Sequence, residues 1–152
     1  MAKQSAGLLM YRQTPSGPEV FLAHPGGPYF AKKDDGVWTI PKGEPAPGEA
    51  LLDCARREFE EETGMRPQGE LVALGEIRQA GGKVVHAWAF EGEWGDRELR
   101  CNTFELEWPP RSGRRQAFPE IDRACFFAID EARRKINPAQ VALIDRLLAQ
   151  LG

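Results

Sequence analysis

The stretch from Gly48 to Gly64 constrains this chain more than any other, because its residues fit a helix and strain it at the same time. With Glu58 at zero on a helical wheel and about 100° per residue, Leu51, Cys54 and Ala55 fall within about 60° of it. Leu52 and Phe59 lie at the edge of the same face, while Glu49, Asp53, Arg56 and Glu60 point the other way. The pattern predicts an amphipathic helix packed on a core. Yet Glu58 and Glu62 interrupt the apolar stripe in its last two turns, and Glu61 borders them. Like charges at these spacings repel. They also stand at the C-terminal end, where the helix dipole disfavours negative charge by roughly tenths of a kcal/mol each. Partial burial of a carboxylate costs more unless it is paired. Arg57, one turn before Glu61, can offset one charge but not all of them. A hard divalent cation resolves the conflict, since carboxylate oxygens are the ligands it prefers. The alternative is a solvated acidic helix end, which suits Glu60 and which the wheel argues against for Glu58 and Glu62.

The rest of the chain supplies a sheet for that helix. Ala6–Tyr11 reads as a buried strand, followed by a turn-rich Gln13–Pro18 and a second strand at Val20–Ala23. His24–Pro28 breaks it, and a loop is expected to Gly36. Val37–Ile40 reads as a short strand closed by Pro41. The helix is expected from near Gly48 to Thr63, with Gly64 as its C′ residue. Leu71–Arg78 and Val84–Phe90 read as a hairpin across Gly81-Gly82. Residues 92–119 carry Trp94, Trp108, Pro109, Pro110 and several arginines without periodicity. A connection that long is usually functional or partly structured. Ile121–Ala128 reads as a strand, and Asp130–Ile136 and Pro138–Leu151 as helices. This order indicates a mixed α/β (α+β) fold in one domain spanning residues 1–152, a length that can bury a real core.

A formal net charge of −3 gives no overall field for nucleic acid or an anionic membrane. The apolar run after Met1–Ser5 is too short for a signal peptide or a membrane span. Cys54, Cys101 and Cys125 form no CxxC pair and are read as reduced thiols of a cytoplasmic protein, with Cys54 and Cys125 as small core residues. No feature sets an oligomeric state.

Gly43, five residues, Glu49, seven residues, then Arg57-Glu58-Phe59-Glu60-Glu61-Glu62-Thr63-Gly64-Met65 resembles the full Nudix box of the MutT-like hydrolases, with every fixed position filled. Trp38–Gly43 resembles the strand that leads into that box, and Asp130-Glu131-Ala132 the family's usual C-terminal region. The resemblance implies a mixed β-sheet sandwiched between α-helices. It implies that Glu58, Glu61 and Glu62 hold Mg2+ or Mn2+, with Arg57 orienting these carboxylates. Gly43, Gly48 and Gly64 would shape the backbone. Glu49, in the first helical turn, would brace the loop, with a role toward the metal through water also open.

The implied activity is metal-dependent hydrolysis of a phosphoanhydride bond, on a small-molecule nucleotide or polyphosphate rather than a nucleic acid. Its base is either Glu58 or Glu120, which resembles a late-loop glutamate of several Nudix enzymes and reads equally as an exposed loop acid. Candidate phosphate contacts are Lys42, Arg111, Arg114 and Arg115, with Lys83 and His86 behind them. The arginines read equally as a basic loop balancing Glu105 and Glu107. Tyr29, Phe30 and Trp108 could stack on a base or anchor loops. A nucleoside triphosphate or dinucleoside polyphosphate is the expected substrate. Diphosphoinositol polyphosphate, ADP-ribose and a non-catalytic nucleotide-sensing role are the alternatives. The chain departs from the dinucleoside hydrolases in having no tyrosine after Tyr29, and from the ADP-ribose enzymes in having no proline between residues 68 and 108.

Overall fold

A computed structural model of the chain describes residues 2–95 and 97–152. Its strands and helices follow in the order β1 (Gln4–Thr14), β2 (Gly17–Pro25), β3 (Lys42–Gly43), α1 (Leu51–Thr63), β4 (Val72–Arg78) and β5 (Val84–Glu91). Then come β6 (Thr103–Glu107), β7 (Arg115–Pro119), β8 (Ile121–Ala128), α2 (Ile129–Lys135) and α3 (Val141–Leu151). The main sheet has the order β4-β5-β1-β2-β8, with β3 against β1. It is mixed, since β1 and β5 run parallel and the other pairs antiparallel. No helix among the described residues is long and apolar enough to cross a membrane.

Alternation along β1 sets the layers, because successive side chains leave a strand on opposite faces. Ala6, Leu8 and Met10 join Phe21, Phe90 and the Cys54, Ala55 and Phe59 face of α1 in one core. Leu9 joins Val20, Leu22, Trp38 and Ile40 with Leu143, Ile144 and Leu147 of α3 in the other. The expected sandwich of a mixed sheet between helices is therefore what the chain forms.

A parting between β1 and β2 positions the site. The two pair only from Tyr11↔Val20 to Thr14↔Gly17. Beyond that β2 parts from β1 while keeping its pairing with β8 on the other edge, and residues 38–43 fill the gap. Thr39 exchanges backbone hydrogen bonds with Ala23 (2.9 Å each way), Trp38 N–H donates to Lys135 O (3.0 Å), and Leu8 N–H donates to Pro41 O (3.2 Å). Each residue has a different partner, so the strand expected at Val37–Ile40 is replaced by isolated bridges, and the ladder forms one step later, at β3. Gly7 permits this crossing, since a Cβ there would stand 2.5 Å from Pro41 O and 2.6 Å from Lys42 Cβ.

Other boundaries differ for local reasons. Helix α1 starts at Leu51, because Gly48 has a positive φ of 76° and Ala50 is extended. Glu49 consequently lies before the helix, and the wheel position that sent it into solvent does not apply. Gly64 caps the other end at φ 78°, its N–H donating to Glu60 O at 2.7 Å. Within 92–119, β6 and β7 pair as a two-stranded ribbon from Thr103↔Pro119 to Glu107↔Arg115. Cys54 is buried as expected, but Cys125 is exposed, because β8 is an edge strand with a neighbour on one side only.

The fit of α1 rests on Phe59, fully buried, whose ring lies 5.3 Å from Phe90 and 6.3 Å from Phe21. Phe59→Ala should lower unfolding free energy by about 3–5 kcal/mol, read by urea denaturation.

Candidate active site

Arg57 stands on α1 facing back across the turn that precedes it. Its Nε and Nη2 each donate to a different oxygen of Glu49 at 2.8 Å, the paired geometry a planar guanidinium offers a carboxylate. Its Nη1 donates to Glu58 Oε1 at 2.9 Å and to Glu61 Oε2 at 3.0 Å, and Nη2 also reaches Glu44 O at 3.2 Å. One cation thus serves Glu49, Glu58 and Glu61, more than the single charge its spacing from Glu61 suggests. Glu49 in turn accepts the Ala46 N–H at 3.0 Å, closing the loop onto the helix. The Arg57 hydrogen bonds hold the Glu49 carboxyl down at about 2, and the same carboxylates hold Arg57 above its usual range.

Gly43 explains how Glu58 lies where it does. A Cβ on Gly43 would land on the Glu58 carboxyl group, so the absence of a side chain leaves room for it. The Cys54 thiol also donates to Gly43 O at 3.4 Å, tying β3 to α1.

Glu62 stands outside the Arg57 network. It is 5% exposed, and burial, then hydrogen bonding and repulsion from Glu58, push its carboxyl up to about 9. The charge of Glu120 adds to the rise, and Lys42 opposes it. Glu120 is itself shifted upward by partial burial and by the charges of Glu58 and Glu61. These glutamates therefore face one another, although among the described residues no three acidic, histidine or cysteine side chains converge into a ready cation cage. Arg57 holds one oxygen each of Glu58 and Glu61.

Lys42 of β3 is shifted downward by burial first and by Lys83 next, while Glu62, Glu44 and Glu58 pull the other way. It also lines a cleft of about 240 Å3 with Phe30, Thr39, Gln79, Asn137 and Gln140. A hollow of about 580 Å3, lined by Thr63, Gly64, Arg97, Glu98 and Arg100, opens at the end of α1.

The basic loop residues are not gathered with the glutamates. Arg115 begins β7, four residues from Pro119 and so about 13 Å along the strand from the end that leads into Glu120. Arg111 and Arg114 stand in the turn beyond it, and Arg115 pairs with Glu105 at 3.4 Å. His86 is taken up by Gln4, at 2.5 Å. Tyr29 and Phe30 are exposed, and Tyr29 meets Trp108 edge-on at 5.4 Å, so the ribbon leans on the loop after β2. The cleft residues Thr39, Gln79, Asn137 and Gln140 had no motif in the sequence. The amide pair Asn137 and Gln140 around Pro138 was the signal open to sequence, and Thr39 and Gln79 carried none.

The NUDIX domain family profile matches residues 1–147. The fold is similar to that of a C. elegans Ap4A hydrolase in a binary complex, with 21% identity over 99% of this chain and 98% of that one, at a TM-score of 0.66. It is similar to the NUDIX domain of Shewanella oneidensis NrtR complexed with ADP ribose, at 14% identity over 100% and 90% and a TM-score of 0.71. It also resembles the MutT protein from Methanosarcina mazei Go1, at 16% identity over 99% and 95% and a TM-score of 0.63.

The Glu49–Arg57 brace has a pH signature. A carboxyl held at about 2 when folded, against 4.5 as its ordinary value, binds fewer protons folded than unfolded between those limits. Its contribution to stability is present above about 4.5 and lost as pH falls toward 2. Glu49→Gln should therefore be less stable than the parent at neutral pH, with the difference shrinking on acidification, measured by urea denaturation across that range.

Proposed function

The chain belongs to the Nudix family, and from that premise we propose that it is a divalent-cation-dependent hydrolase of a phosphoanhydride bond in a nucleoside diphosphate linked to another moiety. One observation carries this reading. Arg57 holds Glu58 and Glu61 in place while Glu62 is buried beside Glu58, outside that network. Such a set leaves one carboxyl on α1 without a cationic partner of its own, and a divalent cation that displaced its proton would meet the hard oxygen ligands that Mg2+ or Mn2+ prefers. Glu58, Glu61 and Glu62 would hold the cation. When bound, it would supply Lewis-acid stabilisation of the charge that builds on the phosphoanhydride oxygens.

The chain's own residues would do the rest. Glu58 is committed to Arg57 and to the space above Gly43, so Glu120 is the better candidate to take a proton from the attacking water. Partial burial, then the charges of Glu58 and Glu61, raise its proton affinity toward the working range of a general base. Its backbone is pinned on both sides, N–H to Asn102 O at 3.0 Å and O from Gly26 N–H at 2.8 Å. Lys42, charged toward both the glutamates and the cleft, would bind phosphate as a point charge.

The cleft beyond Lys42 would take the nucleoside, with Phe30 as a stacking wall and the Asn137 amide and Thr39 as polar contacts. Arg111, Arg114 and Arg115 would then meet only a substrate long enough to run along the ribbon. A nucleoside triphosphate or dinucleoside polyphosphate fits this layout. The free thiols among the described residues suit a cytoplasmic setting.

The test is a panel of nucleoside triphosphates, dinucleoside polyphosphates, ADP-ribose and diphosphoinositol polyphosphates, with Mg2+ or Mn2+ at alkaline pH. Turnover is expected with a nucleotide and should be abolished by Glu62→Gln. Glu120→Gln should lower kcat by about 10²–10⁴-fold, the usual worth of general base catalysis. Gly43→Ala should lower activity in a folded protein by displacing the Glu58 carboxyl. A folded protein that binds nucleotide but hydrolyses nothing would assign a sensing role instead.

A further inference from the structure

His24 near the end of β2 is fully buried, and each of its ring nitrogens faces an acceptor. Nε2 lies 2.7 Å from the Lys33 carbonyl oxygen, which can only accept, so Nε2 must carry a proton. Nδ1 lies 2.7 Å from Asp122 Oδ1. A neutral ring has a single N–H, and its bare nitrogen would then point a lone pair at one of these oxygens. Holding both contacts together requires one proton beyond neutral histidine and ionised aspartate, shared within the pair.

The local backbone builds this contact. His24 pairs with Arg123 but Pro25 pairs with Ile121, so Asp122 is the extra residue of a β-bulge. A bulge re-aims a side chain, here toward the ring. The charged groups around the pair are Asp122 and Arg123 from β8, Lys33 and Asp34 from the loop after β2, and Lys135 from α2. The Arg123 Nε lies 3.6 Å from Asp122 Oδ1 and its guanidinium covers Trp38 at 5.4 Å, while Trp38 meets the His24 ring edge-on at 5.1 Å. The Trp38 indole donates to Asp34 at 2.8 Å, and Asp34 also pairs with Lys135.

What the ring joins gives it consequence. Lys33 belongs to the segment that carries Phe30, a wall of the cleft, and the Lys33 ammonium lies 5.6 Å from the Phe30 ring centre. Asp122 is two residues after Glu120, whose carbonyl receives the Gly26 N–H. We infer that His24 is a positioning residue, a proton-held clasp that ties the Phe30 segment to the chain bearing Glu120. Removal of the extra proton frees one of its two contacts and loosens that segment. The bearing on catalysis rests on the hydrolase reading above, whereas the clasp itself does not.

Asp122→Asn separates the proton from the contacts. The asparagine amide can donate to a bare Nδ1 while Nε2–H still donates to Lys33 O, so a neutral ring satisfies both partners. The experiment uses the full 15N-labelled chain, with ring 15N spectra and hydrogen exchange of residues 26–36 followed from about pH 5.5 to about 9.5, the span over which histidine charge changes matter. His86→Gln assigns the signals, since the chain has two histidines. In the parent, each ring nitrogen of His24 should hold or share a hydrogen-bonded proton at the acidic end, and only one of them at the alkaline end. Exchange, corrected for its intrinsic rate, should rise by about tenfold, as expected for losing one charge-assisted hydrogen bond. In Asp122→Asn the ring should stay neutral with Nε2 protonated, and exchange should stay flat. A parent pair with no proton between Nδ1 and Asp122 at the acidic end, or an Asp122→Asn protein with the parent's pH dependence, would overturn the inference. These readouts need no substrate, so a panel without turnover would leave them intact.

Discussion

The Arg57 guanidinium donates to Glu49, Glu58 and Glu61 at once, and the loop before α1, the helix and its acidic face are arranged around those contacts. A planar fork with five donors can do this, and a lysine at the same place could not, because its ammonium has no second edge to present. The contact with Glu49 is structural, fastening residues 43–49 onto the helix. The contacts with Glu58 and Glu61 are orientational, fixing one oxygen of each. Glu62 receives nothing from Arg57 and is buried among like charges. One cation therefore divides the glutamates into those it holds and one it leaves uncompensated.

That division works only because the sheet opens beside it. β1 and β2 separate after four paired positions, and residues 38–43 enter the gap. Lys42 and Gly43 thereby come to the centre of the sheet, directly against the C-terminal half of α1. Gly43 leaves space for the Glu58 carboxyl, and Gly7 lets Pro41 and Lys42 cross β1 closely. Adding a methyl at either position would separate the two elements whose meeting forms the site.

The helix and its conflict were legible in sequence because both are local. An apolar stripe repeats every three or four residues, and an acidic residue within it is visible without a partner. The β4–β5 hairpin was legible for the same reason. Residues 92–119 were not, since β6 and β7 alternate over only five positions each and are separated by a turn holding Pro109, Pro110 and Gly113. Val37–Ile40 had the composition of a strand, but its backbone partners are Ala23, Asp34, Lys135 and Asn137, a set no periodicity encodes. The family resemblance tied Arg57 to Glu58, Glu61 and Glu62, whereas in the structure it meets the first two and Glu49 but not Glu62. Spacing alone linked it to Glu61, because Glu49 becomes its partner only once Gly48 turns the chain.

Among the described residues, Glu62 and His24 are the acidic and basic side chains that are buried. Glu62 interacts with Lys42 and His24 packs on Trp38, so both adjoin the inserted residues 38–43, each almost wholly removed from solvent. Both run against the preference for apolar interiors, and such departures concentrate where a fold serves more than stability. Their solutions differ in kind. His24 finds both its partners within the chain, from Asp122 and Lys33, so its requirement is a proton. Glu62 finds only Glu58 and a more distant Lys42, so its requirement is a proton or a cation from outside. The apolar layers around Phe59 and Trp38 are what allow the second requirement to stand unmet within the chain. They hold α1 against the sheet whatever the state of Glu62, and so keep its carboxyl available to a ligand instead of letting it relax into water.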